Sequence, residues 1–240
     1  MPLFIINMLQ DSILLISEKD LNEDTLKKYI YSNLNTNYYL SNDFSNNFYR
    51  KLAICGFITT SIYIKNTFYL LPEIQFEYAL LDFNNLHISK KVRKLLNKNR
   101  YKFLINNDLN KVLKNIRRYH KDSWITDEYE KLIYNLYKEN SESFSIFSVE
   151  LYDSLTNELI AGEIGYKIKN TYTSLSGFSS KEKKYRDFGK LQMTLLAFYL
   201  KENNFLFWNL GHPYMEYKFA LGATLYNRDN FLKKWLKAVN

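Results

Sequence analysis

The chain reads as an α+β protein: a small mixed N-terminal domain over residues 1–85, then a larger domain over 86–240 built on a largely antiparallel central sheet. Three observations predict this. Apolar residues recur at helical spacing in several separate segments. Between about residues 144 and 178 the period changes to two. A dense run of cations begins near residue 86, where the boundary is placed. A length of 240 residues fits one large domain or two small ones.

The elements follow in order. LNEDTLKKYIYSNL predicts a short helix, and YYLSNDFSNNFYRKLAICGF a loop entering a second helix with Gly56 as its stop. FYLLPEIQFEYALLDF predicts strands interrupted by Pro72. Ser89 can cap SKKVRKLLNK, whose Val92, Leu95 and Leu96 form an apolar stripe. In DLNKVLKNIRRYH, Leu109, Val112, Leu113 and Ile116 keep the i, i+3, i+4, i+7 spacing. Asp127 and Glu130 read as a capping box opening a helix with Tyr129, Leu132, Ile133 and Leu136 inward. FSIFSVELY, LIAGEIGYKI and TYTSLSGF then alternate as three strands of an antiparallel meander, joined by DSLTNE and KN. The polar loop SSKEKKYRDFG leads into a long helix, KLQMTLLAFYLKENN, with Leu191, Leu195 and Phe198 as its stripe. FLFWNL is a short buried strand, YMEYKFALGA a helix stopped at Gly222, and NRDNFLKKWL a last helix with Leu232, Trp235 and Leu236 on one side.

Composition excludes several classes. With 17% aromatic residues the chain has ample apolar surface to offset ordering entropy, so it is not disordered. Seven glycines and three prolines exclude collagen-like and low-complexity chains. The single cysteine, Cys55, allows no intrachain disulfide and no cysteine-based zinc site, so a reducing compartment is expected. His87, His120 and His212 lack metal-ligand spacing, and no metal is expected. The start, MPLFIINMLQDSILLIS, is broken by Asn7, Gln10 and Asp11 and lacks a basic leader, so it makes a poor signal peptide. No apolar run reaches the roughly 18 residues of a membrane span. A cytoplasmic protein without membrane association is expected, and, with no exposed apolar stripe standing out, a monomer.

The formal charge of +8 is unevenly spread. From Leu86 to Lys121 there are twelve cations and one anion, Asp108, which leaves the rest of the chain slightly acidic. Two adjacent basic helices point to a polyanionic partner such as nucleic acid. The alternative is an ordinary solvated surface.

The order meander, loop, helix, strand, helix is similar to that of the GNAT acyltransferase core. That resemblance implies a ligand held where two neighbouring strands splay, and a phosphate-binding turn before the long helix. CoA-dependent members carry Gln/Arg-x-x-Gly-x-Gly/Ala at that turn. The matching stretch here runs Arg186-Asp187-Phe188-Gly189-Lys190-Leu191, with Leu191 in the last small position and Asp187 placing a carboxylate at the anion site.

A second set of residues resembles the leucyl/phenylalanyl-tRNA–protein transferase family, whose C-terminal domain is GNAT-like. Its members are Gly56-Phe57-Ile58, Leu86-His87-Ile88-Ser89-Lys90 with the basic helix after it, and Ser123-Trp124-Ile125-Thr126. They continue with Ser148-Val149-Glu150, Ala161-Gly162-Glu163-Ile164-Gly165, Ser176-Gly177-Phe178-Ser179 and Leu221-Gly222-Ala223. The match runs from about Tyr38 to Phe231, and its His-Ile-Ser-basic and Ser-Trp-Ile-Thr elements are the most specific. The resemblance implies that an aminoacyl-tRNA ester donates Leu, Phe or Met to the α-amine of a protein beginning with Arg or Lys, leaving a destabilising N-terminal residue that marks the acceptor for degradation. Aminoacyl-tRNA is then the co-substrate, protein or peptide N-termini are the other partner, and no cofactor is expected.

The resemblance also implies site residues. Trp124 would lie by the terminal adenosine of the tRNA; a core tryptophan beside a helix cap is the alternative. Lys90, Lys91, Arg93, Lys94 and Lys98 would grip the acceptor stem. Thr173, Ser174 and Ser176 would line the pocket. Glu150 and Glu163 are candidate substrate-binding carboxylates, with Glu163 set against the acceptor's cationic end or standing as a rim residue. Asn209 and His212 are the candidate catalytic residues.

The chain departs from the family in three places. Gly-Ile/Leu/Met-Phe-Pro-Trp becomes Gly56-Phe57-Ile58-Thr59-Thr60; Gly-Glu-Ser becomes Ser174-Leu175-Ser176; and Asp-x-Gln on the last core strand is replaced within Trp208-Asn209-Leu210-Gly211-His212. Asn209 can orient an amine by hydrogen bonds but carries no charge, and His212 could supply a base or simply sit in a capping loop. Two other readings stay open: an acetyl-CoA-dependent GNAT acyltransferase, and a tRNA-binding relative without the transfer reaction.

Overall fold

The computed structural model describes residues 14–240; the part of the apolar start through residue 13 lies outside the described residues. A helical turn at Glu23–Thr25 runs on as a π-helix over Leu26–Tyr31, where a plain short helix was expected. Helix α1 spans Asn46–Ile54, with Ser45 accepting a hydrogen bond from the Phe48 amide, and ends just before Gly56, which takes φ +89°. Strands β1, Ile58–Ile64, and β2, Thr67–Glu73, form an antiparallel pair. Pro72 lies inside β2 and does not interrupt it. Its carbonyl accepts from the Tyr39 amide, so its missing N–H faces away from β1 and costs no bond of that ladder.

Strand β3, Glu77–Leu81, precedes the first basic helix, α2, Lys90–Lys98, where Ser89 accepts from the Val92 amide as expected. Strand β4, Lys102–Ile105, leads to the second basic helix, α3, Leu109–Tyr119, capped by Asp108. Helix α4, Asp127–Lys138, starts one residue earlier than the expected box: Thr126 is the cap and accepts from the Tyr129 amide, while Asp127, Glu128 and Glu130 occupy the first turn. A threonine with extended backbone can reach that amide, and the acidic first turn suits the helix dipole.

The meander follows as β5, Phe144–Tyr152, β6, Leu159–Ile168, and β7, Thr171–Ser179. Helix α5, Phe188–Glu202, buries Leu191, Leu196 and Leu200, whereas Leu195 and Phe198 of the expected stripe are only half-buried. Strand β8, Phe207–Asn209, helix α6, Glu216–Ala220, strand β9, Thr224–Asn227, and helix α7, Arg228–Val239, complete the chain. Gly222 takes φ +110° after α6, and a Cβ there would meet the Asn85 carbonyl oxygen at 2.0 Å.

The chain forms two compact units. The first holds the described chain through Glu77, Asp122–Asn140 and Asn227–Asn240; the second holds Tyr78–Lys121 and Ser141–Tyr226. A single cut near residue 86 therefore does not describe how the contacts group. Two buried networks explain why distant segments join the first unit. The Tyr129 hydroxyl of α4 bonds the Tyr49 hydroxyl at 2.8 Å and the Thr59 carbonyl at 2.7 Å. Arg228, at the start of α7, donates to the carbonyls of Ile30, Asn33, Thr36, Ile74 and Gln75. Neither pairing has a local sequence signature.

The second unit carries a mixed, mostly antiparallel sheet in the order β4-β5-β6-β7-β8-β3-β9. Phe147, Val149 and Leu151 of β5 pack with Leu191, Leu196, Ala197 and Leu200 of α5, while Ser148 and Glu150 turn the other way. The meander, long helix and short parallel strand follow the GNAT-like order expected from the sequence. Among the described residues no helix is long and apolar enough to cross a membrane, and no group of three or more His, Cys, Asp and Glu could hold a metal ion.

Candidate active site

The second unit contains a place where two parallel strands part. β7 and β8 pair only at Thr171–Phe207, Tyr172–Trp208 and Thr173–Asn209. Beyond that, Leu210 donates its amide to Ala79 and Gly211 accepts from the Ala79 amide, so the chain after β8 follows β3. β7 continues along β6. There Gly165 faces Ser174 and Ile164 faces Ser176, which leaves Leu175 as an extra bulged residue. A bulge bends its strand and re-aims the neighbouring side chains.

Glu163 lies beside this bulge and is only 5% exposed. Three neutral donors hold it: the Tyr172 hydroxyl at 3.0 Å and the Ser174 hydroxyl at 2.7 Å on Oε1, and the Gln192 amide at 3.3 Å on Oε2. Burial pushes its carboxyl above the usual range, against the three donors and the positive charge of Lys218. The Trp208 indole donates to Ser174 Oγ at 2.8 Å, tying β8 to the same network. Gly165 makes room for it: a Cβ there would meet the Thr173 carbonyl oxygen and the Tyr172 hydroxyl, each at 2.4 Å.

Lys218 of α6 is 6% exposed, and its ammonium donates to the carbonyls of Leu210 at 2.5 Å and His212 at 2.6 Å. Burial pulls its pKa down to about 8, while Glu163 acts to raise it.

The structure brings some expected site residues together here and leaves others elsewhere. Glu163, Ser174, Thr173 and Asn209 meet at the strand separation. Thr173 is fully buried and its Oγ1 has no hydrogen-bond partner. Ser176 is half-buried on β7 beyond the bulge. Asn209 is buried, and its Oδ1 accepts from the Gly211 amide at 2.9 Å, so that oxygen shapes the turn after β8. The His212 ring stacks on Tyr214, centroids 5.1 Å apart. Glu150 belongs to another place: it accepts from Ser148 Oγ at 2.6 Å and from the Asn107 and Asp108 amides, which holds the turn into α3. Its inward direction follows from strand alternation, opposite to Val149.

Trp124 lies in the first unit. It is half-buried, with its ring edge-on to Tyr129 at 4.9 Å, and its carbonyl accepts from Ser61 Oγ. In the second unit Lys90, Lys91, Arg93, Lys94 and Lys98 are all exposed on α2, with Val92 turned inward. On α3, Lys114, Arg117 and Arg118 are exposed, while Lys111 is half-buried over the Tyr152 ring at 4.9 Å.

At the turn before α5, Asp187 sits in the left-handed region with φ 69° and its carboxylate lies 3.8 Å from the Lys190 ammonium. A carboxylate at the helix start opposes a pyrophosphate there.

Sequence reasoning missed Lys218, Tyr172, Gln192 and Trp208 as members of the network. Gln192 carried a readable signal, as a lone amide within an otherwise apolar helix stretch. Tyr172 and Trp208 needed the strand pairing, and Lys218 the turn after β8.

Comparison with known proteins adds a family. The chain is similar to a leucyl/phenylalanyl-tRNA–protein transferase of Flavobacterium johnsoniae, 27% identical over 158 residues covering 64% of this chain and 69% of that protein. Among solved structures it is similar to FemX, with 12% identity, a TM-score of 0.46 and coverage of 92% of this chain and 74% of that one. A C-terminal domain of a putative lysylphosphatidylglycerol synthetase from Agrobacterium fabrum matches at 13% identity and a TM-score of 0.42, covering 78% of this chain, which spans about half (54%) of that one. The family model for leucyl/phenylalanyl-tRNA protein transferase matches residues 80–236, well over half of the sequence and nearly all of the second unit, and the chain belongs to that family.

Proposed function

We propose that the protein transfers an amino acid of the Leu, Phe or Met kind from aminoacyl-tRNA to the N-terminal α-amine of acceptor proteins beginning with Arg or Lys, marking them for degradation. The observation that carries this reading is the family match over residues 80–236. That span takes in Glu163, the strand separation and both basic helices.

The reaction asks little of side chains. The amine nitrogen attacks the ester carbonyl carbon, a C–N bond forms, the C–O bond to the ribose breaks, and the proton lost by the amine balances the one gained by the ribose oxygen. The ester is already activated, and an α-amine of pKa about 7.7–8.0 is partly neutral near pH 7. The protein's part is to align amine and carbonyl and to offer polar donors to the developing oxyanion. Aminoacyl-tRNA is the co-substrate and no further cofactor enters.

The exposed cations of α2, Lys90, Lys91, Arg93, Lys94 and Lys98, take the tRNA phosphates. Trp124, half-buried in the first unit, stacks on the terminal base. Glu163 receives the cationic end of the acceptor, and Thr173, Ser174 and Ser176 line the pocket. Asn209 acts through the turn it holds, and His212 takes up the amine proton. The protein works as a monomer.

The test is a transfer assay with total tRNA charged with a labelled amino acid mixture and peptides that differ only at their first residue. Label in peptides with N-terminal Arg or Lys is the expected outcome. Bound tRNA without label would favour a binding-only relative. Neither label nor tRNA binding, with thermal stabilisation by acetyl-CoA, would favour an acyl-CoA donor.

A further inference from the structure

Two charges in the second unit are costly where they stand. Glu163 and Lys218 are each almost fully buried, and removing a charge from water costs several kcal/mol before any partner is counted. Lys218 has two partners, the Leu210 and His212 carbonyls, and both are neutral. All three of Glu163's partners are donors, an arrangement that suits the ionised carboxylate. Each charge lies in the field of the other, although the two are not in ion-pair contact.

The two groups flank the place where β7 and β8 part. Glu163 is tied through Ser174 to the Trp208 indole of β8. Lys218 is tied to the residues that follow β8, in a turn also clamped by Asn209 on Gly211. A methionine at 218 would fill a similar volume without the desolvation cost, but it would take the donor away from the Leu210 and His212 carbonyls, so the ammonium is what holds that turn. The titratable groups facing Glu163 are Tyr172 from β7 and Tyr217 and Lys218 from α6. Lys218 is the one cation among them.

We propose that Lys218 is a positioning residue for this strand separation: it fixes the Leu210–His212 turn at the end of β8 and sets the charge felt by the buried Glu163, so that Glu163 can receive a cationic acceptor amine. The second half rests on the transferase reading above; the first does not.

The experiment uses the full chain. The carboxyl of Glu163 is followed by carbon-13 NMR across a pH titration in the wild type, Lys218→Met and Lys218→Arg. In Lys218→Met the Glu163 midpoint moves upward, and in Lys218→Arg it stays near the wild-type value. In transfer assays Lys218→Met raises KM for the acceptor peptide roughly tenfold, with a smaller change in kcat, and this effect disappears in a Glu163→Gln background. If Lys218→Met does not fold, the double variant Glu163→Gln/Lys218→Met, which has neither buried charge, folds and binds tRNA like the wild type. An unmoved Glu163 midpoint, or an equal loss with and without Glu163, overturns the proposal. A wild type that transfers nothing defeats the transferase reading alone, because the NMR arm still decides whether the two residues are coupled.

Discussion

The Trp208 indole N–H donates to Ser174 Oγ at 2.8 Å, and the same hydroxyl donates to Glu163 at 2.7 Å. One serine thus relays between the last core strand and a buried carboxylate, at the point where β7 and β8 separate. Ser174→Ala leaves the indole donor unsatisfied and takes one of the three donors from Glu163. Chemical denaturation should show a loss of about 1–3 kcal/mol, the cost of stranding a buried polar group. Transfer to Arg-starting peptides should fall as well, with tRNA affinity unchanged. A change near zero would mean that water or a neighbour replaces the hydroxyl.

Glu163 gives a pH prediction with a definite sign. Burial raises its carboxyl pKa in the folded state. The stability it contributes is therefore fully present below the unfolded value of about 4.3 and is lost as pH rises through the folded value. At neutral pH that contribution is reduced, so Glu163→Gln should compare more favourably with the wild type in melting temperature there than in acid. The difference should shift against the variant as the pH approaches the ordinary carboxylate range. Thermal melts across that range check it, and a shift in the variant's favour toward acid would reverse the sign. Transfer activity should drop in the same variant, separating what serves the fold from what serves the site.

Much of this could be read from local sequence. Ser89 with the stripe at Val92 is a signal complete within one turn, and the helix begins where the cap places it. The three meander strands follow from alternation, and their ends agree with the turns. Glu163 was legible as a candidate because a carboxylate on a central strand is rarely idle if it is buried. Its partners were not. Tyr172 and Ser174 of β7 share one face with Glu163 of β6, but which residues stand opposite is set by a pairing register that the bulge at Leu175 shifts, and a period of two does not record register. The grouping into units was hidden for a related reason. Arg228 binds carbonyls nearly two hundred residues earlier, and backbone carbonyls carry no sequence signature.

The basic helix makes a prediction about salt. Lys90, Lys94 and Lys98 are exposed on α2. Changing all three to Glu should weaken tRNA binding and lower the slope of log K against log salt by about 2–3, at roughly 0.7–0.9 for each phosphate no longer neutralised. Filter binding at several salt concentrations measures both. Reversing Lys114, Arg117 and Arg118 on α3, also three exposed cations, is the matched control. If the two sets lower the slope equally, the tRNA responds to net charge and not to α2.

Trp124 is half-buried and lies edge-on to Tyr129. Stacking on an unpaired base is worth about 1–3 kcal/mol, so Trp124→Ala should cut transfer by roughly 5- to 150-fold. Trp124→Phe, which keeps an aromatic face, should retain much of the activity. Circular dichroism and the melting temperature decide whether the first unit survives the change. Full activity in the alanine variant would make Trp124 a packing residue.

Gly165 tests whether the bulge serves the carboxylate. A methyl group there would overlap the Thr173 carbonyl oxygen and the Tyr172 hydroxyl, each 2.4 Å away. The Thr173 carbonyl is backbone, so local strain stays in the strand; the Tyr172 ring must also give way, and its hydroxyl is a donor to Glu163. Gly165→Ala should cost about 1–3 kcal/mol from overpacking and should also raise KM for the acceptor peptide. Tyr172→Phe separates the two effects, because it removes the hydroxyl while leaving the ring Cζ, 2.5 Å from the methyl position, and the Thr173 carbonyl in the way. In the Tyr172→Phe background, Gly165→Ala should still cost stability but should raise KM no further. An undiminished KM increase in that background would show that Gly165 acts on the acceptor by a route other than the Tyr172 hydroxyl.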